Sequence, residues 1–332
     1  MLAFTRDLWA GARGQRIFLT GGTGFFGPWL VETFAHANET LGLDAELVVL
    51  TRDPGRVLGR LPHFDSLPGV SFHSGDVRGF ELPMGEFDLV VHGATESSQQ
   101  EHAGDQRHMF DTIVDGTRET LGLARDRGAR RYLLLSSGAV YGRQPPELPY
   151  VGEHYTGGPD LQDARSAYAE GKRAAEVMAA IAATSGLSVR VARCFAFVGP
   201  HLPLDIHFAM GNFIRDAMAG GPIRISGDGT AIRSYLYMSD LAIWLWTMAL
   251  SEHANGAYNV GSEVPLSILD AANQVAETCL PGAAVRVSTP STSAAAPHRY
   301  VPSTRRAERE LGVRQLVPLR DAIRRTAAWY SQ

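Results

Sequence analysis

Apolar residues along this chain fall into short solid runs, separated by longer stretches where they recur every three or four positions. The runs are residues 17–19, 45–50 (AELVVL), 70–73, 87–92 (FDLVVH), 131–136 (RYLLLS) and 188–194 (SVRVARC). Each has the length and the β-forming composition of a buried strand. Helical spacing fills the intervals, most clearly at residues 106–127 and 167–184, the second rich in Ala, Glu and Met. Strands and helices alternating at these lengths predict a parallel, doubly wound sheet. Past Phe197 the texture changes: a Pro-rich loop at 199–205, a helix at 208–219 and a Gly-rich, hairpin-like segment to Thr230. Residues 234–238 and the helix 241–250 are expected to return to the main sheet, with a short strand at 257–260. A small α/β tail follows, interrupted by a Ser/Ala/Pro loop at 288–297. The expected division is residues 14–197 plus 232–260 as the larger unit and 198–231 plus 261–332 as the smaller. Residues 1–13 read as an extension.

The first strand leads into the sequence RIFLTGGTGFFG, residues 16–27, with glycines at Gly21, Gly24 and Gly27. A strand that passes through spaced glycines into a helix is the dinucleotide-binding turn of a Rossmann-type fold. One glycine permits the bend, one admits a pyrophosphate to the backbone, and one lets helix pack on strand. The phosphates sit at the positive end of that helix. Gly21, Gly24, Phe25, Phe26 and Gly27 are therefore candidate cofactor positions.

Composition narrows the partners. The 332 residues carry a formal charge of −4, which supplies no basic face for nucleic acid and no polybasic membrane signal. No apolar run reaches transmembrane length, and the first residues lack the core of a signal peptide, so cytoplasm is the expected location. Two cysteines predict neither a disulfide framework nor a cysteine-built metal site. One bias is informative: Lys172 is the only lysine among 31 basic residues. Where arginine has replaced lysine everywhere else, a retained lysine points to a need for a compact ammonium group.

Lys172 closes the pattern Tyr-x-x-x-Lys with Tyr168. The i,i+4 spacing places both on one helix face. A cation beside a phenol favours the phenolate, and so lowers the phenol pKa towards that of a general base. Ser137, at the end of the fifth run, is placed to bond the same substrate oxygen.

With TGGTGFFG, SSGAVYG (136–142), YAEGK (168–172), residues 212–242 and YNVGS (258–262) in order, nearly the whole chain resembles the extended short-chain dehydrogenase/reductases that modify nucleotide sugars. The resemblance implies a Rossmann-type doubly wound sheet with a smaller C-terminal α/β substrate-binding domain. It implies Tyr168 as acid/base at a sugar hydroxyl, and Lys172 as its partner and a ligand of the nicotinamide ribose. Ser137 takes the catalytic Ser/Thr position, and Asp76 and Val77 hold the adenine. Asn212, Arg233 and Arg299 fall where the sugar nucleotide is held, the arginines on its diphosphate. A homodimer formed by the helices at 106–127 and 167–184 follows from the same resemblance, with Ala175, Val177, Met178 and Ile181 as contact positions.

The departures are equally specific. Thr51 and Arg52 end the second strand where an acidic residue usually meets the NAD ribose. An arginine there suits the 2′-phosphate of NADP, and Asp53 keeps NAD open, so the cofactor is NAD or NADP. Ser137, Gly138 and Ala139 replace the Thr-Asp-Glu of sugar dehydratases, and Ala139 the glutamate of uronate decarboxylases. HGATES (92–97) is nonetheless similar to the dehydratases, and YAEGKRAAE to the decarboxylases. The expected activity is a nucleotide-sugar epimerase acting at C4 through a transient keto sugar. The alternatives are an NADPH-dependent ketosugar reductase, a 4,6-dehydratase or uronate decarboxylase, and a non-catalytic cofactor-binding relative.

Overall fold

The structure, a computed structural model, describes residues 1–95, 105–206, 208–289 and 296–332. A one-turn helix α1 (Leu2–Thr5) precedes β1 (Arg16–Thr20), which runs through the glycine turn into α2 (Gly27–Leu41). β2 (Glu46–Thr51), α3 (Pro54–Arg60), β3 (Val70–Ser74), β4 (Leu89–His92) and α4 (Gln106–Asp126) follow. β5 (Arg131–Ser137), α5 (Ala167–Ala183) and β6 (Ser188–Cys194) complete the expected alternation. The second half holds β7 (Phe197–Val198), α6 (Ala209–Met218), β8 (Ile223–Ile225), β9 (Ile232–Arg233), β10 (Leu236–Tyr237), α7 (Met238–Leu250) and β11 (Gly256–Val260). It ends with β12 (Leu266–Ser267), α8 (Ile268–Cys279), β13 (Val285–Val287), β14 (Arg299–Tyr300), α9 (Arg305–Leu311) and α10 (Leu319–Tyr330).

Seven strands form one parallel sheet in the order β11-β6-β5-β4-β1-β2-β3. The strand order reverses between β1 and β4, and a crevice opens at the carboxyl ends of strands at such a switch point. Register places Thr20 beside His92 and Ser137 beside Cys194 along that edge. One face of the sheet is covered by α2 and α7. α7 is apolar nearly all round, with Trp244, Leu245 and Trp246 buried. Residues 1–13 are more than an extension, because Trp9 is fully buried and lies 5.0 Å from the Trp246 ring. The other face is covered by α4 and α5, where Phe18, Val90, Tyr132, Ala175 and Ala179 pack together. A second core gathers α6, α8, α10 and their short strands around Phe213, Ile223, Val275 and Ile323.

Two expectations fail in this second half. The Gly-rich stretch before Thr230 is not a hairpin, since β8 pairs in parallel with β13, some sixty residues away. Residues 234–238 do not rejoin the main sheet. β10 pairs with β7 in a separate two-stranded sheet, and β9 lies between β12 and β14. Short strands of two or three residues carry too little pattern to reveal their partners.

Candidate active site

The glycine turn is closed by contacts that admit no side chain. Gly21 has φ +78°, and a Cβ there would lie 2.5 Å from the Gly93 carbonyl carbon. A Cβ on Gly27 would lie 2.1 Å from the Gly22 carbonyl. Gly24 is exposed, with 3.7 Å of clearance to its nearest neighbour. Phe25 and Phe26 turn their rings into the protein, Phe26 edge-on to Phe197 at 5.0 Å. Both rings stay partly exposed beside the turn. The N-cap residue Phe26 has no capping side chain, which suits the first N–H groups of α2 to an anion. This cradle of bare backbone at a helix start fits the pyrophosphate of a dinucleotide.

Along the crevice, Thr51 is buried and Arg52 exposed at the end of β2. Asp53 is engaged elsewhere, its carboxylate capping α3 by accepting from the Arg56 N–H at 3.0 Å. Asp76 is gripped by Arg78, whose Nε and Nη2 each donate to it at 2.9 Å. Those bonds hold its pKa down at about 2. Val77 packs beside Gly116 of α4, where a Cβ would meet both its methyls at 3.1 Å. Of HGATES, residues 96 and 97 lie outside the described residues.

At the centre, β5 and α5 bring Ser137, Tyr168 and Lys172 together. Lys172 is 3% exposed, and its ammonium donates to the Leu135 carbonyl at 2.8 Å. Burial brings its pKa down to about 8. Burial dominates at the Tyr168 phenol and pushes its pKa up rather than down, although Ser137 acts to lower it. The expected lowering is outweighed by burial. The ammonium stands 6.0 Å from the ring centre and gives one of its three N–H donors to a carbonyl. The Cys194 thiol, also beside Lys172, is pushed up to about 12 by burial.

His92 supports this floor. Its Nδ1 lies 2.8 Å from Thr20 Oγ1, which also accepts from the Gly93 and Ala94 N–H groups, and its Nε2 lies 3.2 Å from Thr117 Oγ1. Burial, aided by Lys172, lowers the imidazole pKa to about 3. Between that value and the ordinary 6.5 the unfolded chain takes up a proton that the folded one refuses. Stability is therefore complete above pH 6.5 and falls as the pH drops towards 3. Thermal or denaturant unfolding at pH 7 and 4.5 is expected to show the parent losing about 2–3 kcal/mol more than His92→Gln.

The candidate substrate residues are placed unequally. Arg233 is drawn in: its Nη1 donates to the Ile232 and His298 carbonyls at 2.9 and 3.1 Å, and its guanidinium lies 6.0 Å from the Tyr300 ring. Arg299 pairs with Ile232, one residue before Tyr300. Strand alternation turns those two side chains to opposite faces, and Tyr300 is the one whose hydroxyl stands beside Gly138. Asn212 lies on α6, accepting from Arg215 at 3.2 Å.

Residues 17–261 match the NAD dependent epimerase/dehydratase family. The chain belongs to that family. UDP-glucuronic acid decarboxylase 2 of Arabidopsis thaliana is 33% identical over 312 residues, 94% of this chain and 67% of the relative. Among solved structures, the dTDP-glucose 4,6-dehydratase DesIV of Streptomyces venezuelae, with NAD bound, shares 28% identity over 95% of this chain and 97% of its own, at a TM-score of 0.78. A UDP-N-acetylglucosamine 4-epimerase of Methanobrevibacter ruminantium superposes at 0.82 over 96% of this chain and 99% of its own. With 18% identity, that last likeness is one of fold.

This member of the family builds its site from residues that spacing alone did not single out. The Tyr300 hydroxyl stands beside Gly138 and the Cys194 carbonyl only because β14 pairs with β9. Glu176, one turn beyond Lys172, accepts from Ser136 Oγ at 2.6 Å and from Arg193 Nη2 at 2.6 Å. Arg193 in turn donates to the Tyr141 hydroxyl at 2.9 Å, and that hydroxyl donates to Asn259 at 2.8 Å. This network fixes α5 against β5 and β6. The i,i+4 step from Lys172 to Glu176 was its only sequence signal.

Proposed function

We propose that the protein is a nucleotide-sugar epimerase that inverts the sugar at C4 through a transient keto intermediate and retains NAD between turnovers. Gly21, Gly24, Phe25, Phe26 and Gly27 hold the pyrophosphate by backbone, Thr51 and Arg52 face the adenosine ribose, and Asp76 and Val77 hold the adenine. Lys172 holds the nicotinamide ribose. Bound there, the nicotinamide supplies a hydride acceptor that later gives the hydride back. Tyr168, as phenolate, takes the hydroxyl proton as the C4 hydrogen leaves as hydride, and Ser137 donates to the oxygen that becomes the carbonyl. The keto sugar turns over, and Tyr168 returns the proton as hydride reaches the opposite face. Residues 14–197 plus 232–260 serve the cofactor on this reading. Residues 198–231 plus 261–332 serve the nucleotide sugar, with Asn212, Arg233 and Arg299 on its diphosphate side.

The observation that carries this reading is the chemistry beside Ser137. Gly138 and Ala139 supply no acid for elimination, and Glu176 is engaged by Arg193 and Ser136. Uronate decarboxylation or 4,6-dehydration is the second reading, supported by the plant relative and by DesIV. Mass spectrometry of any co-purifying nucleotide, beside turnover of UDP-, dTDP-, CDP- and GDP-sugars, tests the substrate class. Turnover of none of them overturns it.

NAD is the expected cofactor, so Arg52→Ala should leave NAD affinity within about threefold of the parent. A charge-assisted contact to a 2′-phosphate is worth about ten- to a hundredfold. A selective loss of NADP binding on that scale therefore transfers the reading to the ketosugar reductase.

A homodimer belongs to the same proposal. Val177 and Ile181 of α5 are 59% and 63% exposed, which suits a partner helix, whereas Ala175 is fully buried in the chain's own core. Light scattering at micromolar concentration is expected to give twice the 35.9 kDa chain mass, and a monomer contradicts it. Cytoplasm remains the proposed location, in keeping with two free thiols at Cys194 and Cys279.

A further inference from the structure

A carboxylate offers about four lone-pair positions on its two oxygens, and at Asp76 one neighbour fills three of them. Oδ1 accepts from the Arg78 backbone N–H and from its Nε, both at 2.9 Å, and Oδ2 accepts from Arg78 Nη2 at 2.9 Å. The parallel bonds from Nε and Nη2 form the planar fork that fixes a carboxylate in orientation as well as in place. Among the described residues the fourth position, on Oδ2, is left over. We infer that Arg78 is a positioning residue for the cofactor's base: it turns Asp76 so that one acceptor is left for the ligand, and that acceptor admits an exocyclic amino group and rejects a carbonyl oxygen. The inference rests on the reading that Asp76 and Val77 hold the adenine.

Arg78 is itself held by α4. Its Nη1 lies 3.2 Å from His108 Nδ1, and since a guanidinium can only donate, Nδ1 is the acceptor and the neutral ring carries its proton on Nε2. His108 stands in the first turn of α4, where Asp105 caps the helix by accepting from the His108 N–H at 2.9 Å. The backbone closes the same turn: the Gly79 N–H donates to the Asp76 carbonyl at 3.0 Å. The Asp76 and Arg78 side chains are 33% and 36% exposed, so a base can reach the carboxylate while the fork stays in place. An ion pair this open to water adds little to stability, which leaves orientation as the fork's contribution. With its pKa held at about 2, the carboxylate has no proton to offer a carbonyl oxygen. Adenine brings an amino N–H to such an acceptor, whereas a base with oxygen at that position sets lone pair against lone pair.

The test is binding alone, by calorimetry on the full-length protein freed of nucleotide. The probes are NAD and its hypoxanthine analogue, which carries an oxygen in place of the adenine amino group. The parent is expected to prefer NAD by about tenfold or more, the scale of a charge-assisted hydrogen bond. Arg78→Ala should lose most of that preference by weakening NAD alone. Arg78→Lys keeps the charge without the fork and should not restore it. Asp76→Asn should lose the preference too, and the double variant Arg78→Ala/Asp76→Asn should bind NAD no more weakly than Asp76→Asn. Equal weakening of both dinucleotides by Arg78→Ala, or full preference in Arg78→Lys, shows a contact or a charge rather than an orientation and overturns the inference. A double variant whose losses add overturns it as well, since Arg78 would then act without Asp76. Preference kept in Arg78→Ala but lost in Asp76→Asn overturns it while leaving the adenine reading in place. A parent that binds both probes alike, or Asp76→Asn with the parent's preference, removes Asp76 from the adenine and the inference with it.

Discussion

Tyr168→Phe is expected to keep the fold and NAD affinity while losing about 10²–10⁴-fold in kcat, the scale of a lost general acid–base. The ring of Tyr168 packs against the core between the sheet and α4 and α5, and phenylalanine preserves that packing. What disappears is the oxygen on which Ser137 acts. Burial holds the free phenol above its ordinary pKa, so the group needs help to act as a base near neutral pH. Ser137 acts in that direction, lowering the phenol pKa against the effect of burial. Unchanged thermal stability and NAD binding beside near-normal turnover would take Tyr168 out of the mechanism.

Lys172→Arg is expected to lose about 10²-fold or more although it keeps the charge. The ammonium sits 3% exposed and donates to the Leu135 carbonyl at 2.8 Å, between Cys194 and the Tyr168 ring. A guanidinium brings five donors and a planar fork into a space shaped for a point charge, and each buried donor left unmet costs about 1–3 kcal/mol. Steady-state kinetics and NAD titration of the purified variant give the answer. Parent-like values for both would show that the lone lysine of this chain is retained for no chemical reason.

What the sequence made legible has a common physical basis. The solid apolar runs of β1, β2, β4, β5 and β6 and the periodic α4 and α5 carry their pattern locally, and the structure has them within two residues of the expected bounds. Tyr168 and Lys172 are bound to one face by helix geometry alone. Tyr300 is different: it comes beside Gly138 through a parallel pairing of two-residue strands whose partners are 67 residues apart, and nothing local announces that. The same holds for β8 with β13 and β10 with β7. The pKa of Tyr168 was misjudged because a neighbour in sequence supplies charge, whereas desolvation comes from the whole fold. Arg299 rests on the resemblance alone, and strand alternation turns its neighbour Tyr300 to the opposite face, beside Gly138.

The claim that an exchange of hydride at C4 is the whole reaction is tested most directly by NMR of the product from nucleotide sugars deuterated at C4. The account predicts the C4 epimer with deuterium still on C4, no hydrogen taken from solvent, and no accumulation of reduced cofactor. Deuterium moved to C6 in a 4-keto-6-deoxy sugar, or loss of carbon dioxide from UDP-glucuronate, would contradict it.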